Sequence, residues 1–469
     1  MKRFVWFCLG FAALLPVSVS AQGGSVGAAI VGAGQRAAGR SASIGAARAA
    51  GQRTAGESVR ATVVAGGGGK TDAFLRDLLY AKASPFLRRV LDKPDSFRYQ
   101  LIYTRIDRDR HNRPRFHNYN YRVNALEYFN PASTVKMPLA FLALEKMDSL
   151  ARYGVDRETP MLTDSAYSGQ SVVSRDTSSA DGQPSLAQYI RKIFLTSDND
   201  AYSRLYEFLG QERINRRLWQ LGYPDIRITR RFVPMNEDEN RHTNPIRFVR
   251  DGRTLYTQAP VYSDVVFDFS HPALLGNAYL DRHDSLIHQP MDFTRHNNFP
   301  LEDAQQLLQS VLFPESVPAG RRFRLRPDDY RFLYQYMSEY PGESVHPHYD
   351  TAEYFDSYTK FFFFKAGRSP IPSYIRVFNK PGWAYGFLTD IAYIADFRHN
   401  VEFMLTGTIY VNSDGVLNDD KYDFDAIGYP FFKEVGEIIY DYEMGRKRAY
   451  TPDLKDFRLQ YDPGLSLNR

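Results

Sequence analysis

The chain has 469 residues, a formal net charge of +5 and a single cysteine, Cys8. Its acidic and basic residues are interspersed rather than gathered in blocks, which argues against a nucleic-acid-binding surface. Setting aside an N-terminal leader and tether leaves about 400 residues, ample for a large core and more than one typical domain.

Met1-Lys2-Arg3, the apolar run Phe4 to Val17, and Val19-Ser20-Ala21 form the three parts of a secretory signal peptide over residues 1–21. The run is too short to span a bilayer. Cleavage after Ala21 leaves Gln22 at the new terminus and removes Cys8, which lies inside the apolar core and not at a lipid-attachment position. The mature chain is then free of cysteine, so disulfides, thiolate metal sites and a cysteine nucleophile are excluded together, and export to the periplasm or beyond is expected. Residues 22–70 are rich in Gly, Ala, Ser and Arg and read as a flexible tether. Two nucleotide-binding lookalikes occur there, Gly32, Gly34 and Ala37, and Gly66 to Gly69 with Lys70-Thr71. Neither leads into a strand-turn-helix unit, and the second has Val64 where a phosphate loop needs glycine.

Apolar spacing from Thr71 to Leu91 predicts a helix broken or bent near Pro85. Strands follow at 97–106 and 116–123 around the polar turn 107–114. Next comes Phe129-Asn130-Pro131-Ala132-Ser133-Thr134-Val135-Lys136, running into an apolar segment. Asn130 suits a helix cap and Pro131 a first helical position, which places Ser133 in a first turn with free N–H groups. Lys136, three residues on, shares that face and can take the Ser133 proton if its amine is neutral. Pro138 is expected to kink the helix.

Leu195-Thr196-Ser197-Asp198-Asn199-Asp200 precedes another helix. Ser197 suits a proton relay to a leaving nitrogen and Asn199 a bond to a substrate amide, although Ser, Asp and Asn are also ordinary capping residues. The segment Ile246 to Tyr256 reads as a hairpin around Asp251-Gly252 within an insertion, residues 240–300. His346-Pro347-His348 reads as a surface loop and not a metal site, and Phe361 to Phe364 as buried core. Late in the chain, Arg376 to Trp383, Ala384 to Ile394 and Val401 to Val411 read as antiparallel strands, and Tyr429 to Tyr442 as a closing amphipathic helix with Pro430 in its first turn. Pro381 places Lys380-Pro381-Gly382 on a sheet edge. There Lys380 supplies positive charge, and the Trp383 and Ser133 N–H groups can form an oxyanion hole. No internal repeat, membrane span, lipase-type Gly-x-Ser-x-Gly or zinc His-Glu-x-x-His is present.

Ser133 to Lys136, Ser197 to Asn199 and Lys380 to Gly382, in that order, resemble the penicilloyl serine hydrolases, the superfamily of class A β-lactamases and penicillin-binding DD-peptidases. The resemblance runs over about residues 71–445 and leaves 446–469 as a tail. It implies an α/β (α+β) fold, in which an antiparallel sheet flanked by helices is built from both chain ends around a helical lobe at about 134–370. It also implies a Ser133 acyl-enzyme, Lys136 as base, Ser197 and Lys380 at the leaving nitrogen and substrate carboxylate, and Asn199, Gly382 and Trp383 as substrate-binding groups. No cofactor or metal is called for. The substrate class is a β-lactam or a D-alanyl peptide, and oligomeric state is left open.

Two departures stand out. The family's deacylating glutamate is followed four residues later by asparagine; Glu237 and Glu239 are the nearest candidates here, and neither has that spacing. Pro381 replaces the hydroxyl residue that binds the substrate carboxylate, and no arginine follows Lys380 until Arg398. The expectation is an exported β-lactamase-type hydrolase, with a DD-peptidase or transpeptidase as alternative and a noncatalytic binding protein as a third possibility.

Overall fold

The computed structural model describes residues 69–461; the signal peptide and nearly all of the tether expected from the sequence lie outside the described residues. The organising element is a five-stranded antiparallel sheet drawn from both ends of the chain. Its strands are β1 (Gln100–Arg108), β2 (Pro114–Tyr121), β3 (Ile375–Ala384), β4 (Phe387–Asp396) and β5 (Val401–Tyr410), in spatial order β3-β4-β5-β1-β2. The two ends meet where β1 pairs with β5, residue 100 opposite residue 408.

Strands β4 and β5 are buried at every position, so both of their faces are covered. On one face, Val377, Leu405 and Ile394 pack with Leu75 and Leu79 of α1 (Ala73–Lys82), with Leu87 and Val90 of α2 (Pro85–Leu91), with Phe361 to Phe364, and with Phe432 and Ile439 of the closing helix Tyr429–Gly445. On the other face, Phe378, Tyr393 and Met404 pack against the helical lobe. That lobe includes α3 (Lys136–Leu150), α4 (Leu186–Leu195) and α5 (Asn199–Leu209). The expected α/β fold, an antiparallel sheet flanked by helices, is therefore present.

Local chemistry explains two of the element ends. Pro85 stands at the start of α2, where its missing N–H is not needed, and the Ser84 hydroxyl accepts from the Leu87 N–H at 3.2 Å. Asp251 and Gly252 both adopt positive φ, as a two-residue hairpin turn requires, and join strands Ile246–Arg250 and Arg253–Gln258.

Pro138 is a correction. It falls in the first turn of α3, because the helix begins only at Lys136, and a proline there forfeits no intrahelical hydrogen bond. The helix runs unbroken from Lys136 to Leu150. The segment after residue 445 is no loose tail as far as it is described: Leu454 and Phe457 are buried, and the Phe457 ring meets Phe313, Phe378 and Tyr393. Among the described residues, no helix is long and apolar enough to cross a membrane.

Candidate active site

The segment around Ser133 is a tight turn before a helix and not the helix start itself. The Asn130 side-chain oxygen accepts from the Ala132 N–H at 2.9 Å, and the Pro131 carbonyl accepts from both the N–H and the hydroxyl of Thr134 at 3.0 and 2.6 Å. Ala132 is forced to φ +45°. A non-glycine residue in that region is strained, and such strain concentrates at functional sites. The resulting 3-10 turn, Ala132–Val135, leaves Ser133 half-buried with no side-chain hydrogen-bond partner among the described residues and hands the chain to α3 with Lys136 fully buried.

Lys136 reaches across to the second motif. Its Nζ donates to the Ser197 carbonyl, to Asn199 Oδ1 at 2.6 Å and to Ser197 Oγ at 3.4 Å. Ser197 also carries a positive φ of 63°. Asp198 does the capping that sequence reasoning had weighed against a site: its Oδ1 accepts from the Ala201 N–H at 2.8 Å and starts α5. One short stretch thus serves as both helix cap and site. Asn199, expected to bind a substrate amide, is exposed and has its oxygen engaged by Lys136.

Lys380 completes the cluster from the edge strand β3. Its Nζ donates to Ser197 Oγ at 2.9 Å and to the Pro381 carbonyl at 2.8 Å. The Ile375 and Val377 carbonyls accept from Tyr340 Oη and Lys360 Nζ, so the odd-numbered residues of β3 turn their backbone groups away from β4. By the same alternation Pro381 lacks its N–H where the ladder needs none, and the Trp383 N–H faces the open edge. Gly382 lies against the Ser133 turn: a Cβ there would stand 2.7 Å from the Ser133 nitrogen.

Burial decides the charge of the amines. Removal from water lowers the Lys136 pKa to about 7, opposed by the charge of Asp198. Lys380 is pushed well below its usual range by burial first and then by the Lys136 charge, with Asp390 pulling the other way. A neutral amine beside a serine hydroxyl can accept its proton, and a shared second hydroxyl can pass that proton on.

Three residues behind Lys380 were not singled out from sequence. Lys360 Nζ donates to Asn379 Oδ1 at 2.7 Å, and Asn379 Nδ2 donates to Asp390 Oδ1 at 2.8 Å, all three fully buried. This chain fixes β3 from the sheet face opposite the Lys380 side chain. The only signal available was a charged residue beside an otherwise apolar run.

Among the described residues, neither Glu237 nor Glu239 has a side-chain hydrogen bond to the cluster. Glu237 is exposed and pairs with Arg295 at 2.9 Å, whereas the Glu239 carboxylate accepts from the Asn236 N–H at 2.7 Å in a capping box for the short helix Glu237–Arg241. Glu237→Gln and Glu239→Gln are each expected to leave the rate of Ser133 acylation by penicillin within about twofold of the parent, as surface substitutions do. A tenfold loss in either variant would restore that residue to the site.

A half-buried hydroxyl, a buried amine of lowered basicity, a second hydroxyl shared by two amines and an edge strand are together the kinds of group that serine-hydrolase chemistry uses. Residues 112–262 match the model of the Beta-lactamase enzyme family. That match spans the first two of the three motifs and supports the likeness to the β-lactamase and penicillin-binding-protein superfamily that the motifs carry. Among solved structures, it resembles a β-lactamase from Xanthomonas campestris pv. campestris str. ATCC 33913 at 16% identity and TM-score 0.43, over 78% of this chain and 98% of that one. It also resembles the β-lactamase from Sphaerobacter thermophilus DSM 20745 at 14% identity and TM-score 0.40, over 79% and 96%. No protein of curated function matches in sequence.

Proposed function

We propose that this chain is an exported serine hydrolase that opens β-lactam rings through an ester on Ser133. The observation that supports the reading best is the convergence of Lys136 and Lys380 on one hydroxyl, Ser197 Oγ, at 3.4 and 2.9 Å. In the first step the neutral Lys136 amine takes the Ser133 proton, and Oγ attacks the lactam carbonyl. The Ser133 and Trp383 N–H groups receive the oxyanion. The proton then passes from Lys136 through Ser197 to the lactam nitrogen as the C–N bond breaks. Lys380, when protonated, provides the positive field for the substrate carboxylate, a task for which Pro381 offers no hydroxyl. Water then cleaves the ester. Export rests on the leader-like residues 1–21.

Time-resolved intact-protein mass after penicillin exposure tests the reading. The parent is expected to gain one penicilloyl group and lose it again, and Ser133→Ala to gain none. Unmodified parent protein, or labelled Ser133→Ala, would refute it. A second reading, a DD-peptidase-like enzyme acting on D-alanyl peptides and trapped by penicillin, is favoured by the engagement of Glu237 with Arg295 and of the Glu239 carboxylate with the Asn236 N–H. It predicts an adduct that persists.

A further inference from the structure

Lys136 has an apolar neighbour that none of the three motifs supplies. The Phe232 ring lies over its amine, with Nζ 5.2 Å from the ring centroid. Phe232 is held there by an anchor outside the motifs. Its ring stacks on Tyr202, one turn into α5, at 4.4 Å and 28°. The preceding residue, Arg231, is wholly buried: Nε reaches Glu207 of the same helix at 3.1 Å, and two further nitrogens reach the Glu239 and His242 carbonyls. On the other side of the ring residue's neighbour, the Arg230 carbonyl accepts from the Tyr202 hydroxyl at 2.9 Å. Helix α5 therefore carries Ser197 and Asp198 at its start and, through Tyr202 and Glu207, the clamp that sets Phe232 against Lys136.

We propose that Phe232 is a positioning residue for the hydrolase reaction, holding water away from the Lys136 amine so that it can act as the base for Ser133. The proposal rests on the acyl-enzyme reading of the site. The groups around Lys136 on its other sides are Asp198 and Asn199 at the start of α5, Ser197 before it, and Lys380 from β3. Asp198 favours the ammonium form, and Lys380, when charged, opposes it. Neither replaces the exclusion of water. An aromatic face does attract a cation, but an isolated ring contact is worth less than the hydration an ammonium loses on burial. The net effect of the ring is to favour the neutral amine.

Phe232→Leu and Phe232→Ser separate dryness from aromaticity. Leucine keeps the amine dry, so the pH at half-maximal acylation by penicillin is expected to stay where the parent has it. Serine admits water and lets the amine recover basicity, moving that midpoint upward by about one unit and slowing acylation about tenfold at neutral pH. A direct titration of the Lys136 side-chain nitrogen by NMR, assigned with Lys136→Met, reads the same quantity without turnover. An upward shift in Phe232→Ser and not in Phe232→Leu supports the proposal; with no reaction of the parent with penicillin, the same shift leaves the exclusion of water from Lys136 standing and overturns only its use in acylation. Equal midpoints in parent and Phe232→Ser, or equal shifts in both variants, overturn it while leaving acylation of the parent to stand.

Discussion

Lys136→Met is expected to slow penicilloyl transfer to Ser133 by about 10³-fold, within the range for loss of a positioned general base. Methionine can follow the path of the lysine stem through the fully buried site, so the fold should survive with an unchanged urea midpoint. The amine that contacts Ser197 and Asn199 is lost, and with it the group proposed to take the Ser133 proton. Lys136→Arg should not rescue the rate, because a guanidinium stays charged at any working pH. In the parent the sign of the pH dependence follows from the direction of the shift. The base is the deprotonated form of a lysine whose pKa is lowered to about 7, so acylation should rise with pH through neutrality and level off above it. Acylation of Lys136→Met within tenfold of the parent would remove Lys136 from this role.

Gly382→Ala is the second substitution with a large expected effect. The added Cβ would meet the Ser133 nitrogen at 2.7 Å, the Pro131 oxygen at 2.8 Å and the Thr134 nitrogen at 2.9 Å. All three are backbone atoms of the strained turn, so none can rotate aside. Strand β3 must move away from the turn, which parts the Ser133 and Trp383 N–H groups. A displacement of that size at a reacting centre costs about 10²-fold in rate. Gly320→Ala, with nothing within 4 Å of its added carbon, serves as the control and should acylate like the parent. Equal rates for both variants would show that β3 and the turn are not held in register.

The sheet was legible because its signals are local: the strand-turn-strand pattern of residues 97–123 and a proline that only an edge strand accepts. The three motifs were legible as a set; hydrogen bonds join Lys136, Ser197 and Lys380, and the Ser133 turn lies against Gly382. Other features depend on contacts that sequence spacing does not encode. Pro138 looked disruptive because the helix was expected to start at Pro131, and a 3-10 turn moves its start to Lys136. Glu237 and Glu239 looked available because nothing in the sequence reveals that Arg295 and the Asn236 N–H engage them. Lys360, Asn379 and Asp390 come from separate segments, and Phe232 follows two arginines in what reads as a charged stretch. Their importance appears only when the elements are packed.

The pairing of residue 100 with residue 408 also sets an order of events during synthesis. Strand β1 emerges early from the ribosome but has no β5 to lie beside until most of the chain has been made. Contacts so distant along the chain close late. Lys380, Gly382 and Trp383 are carried by the same late segment, so the nucleophile spends most of its biogenesis without the amine and N–H groups that complete its surroundings. A ribosome-stalled fragment ending before residue 375 should be inert towards penicillin, which makes reactivity a clock for completion of the whole fold.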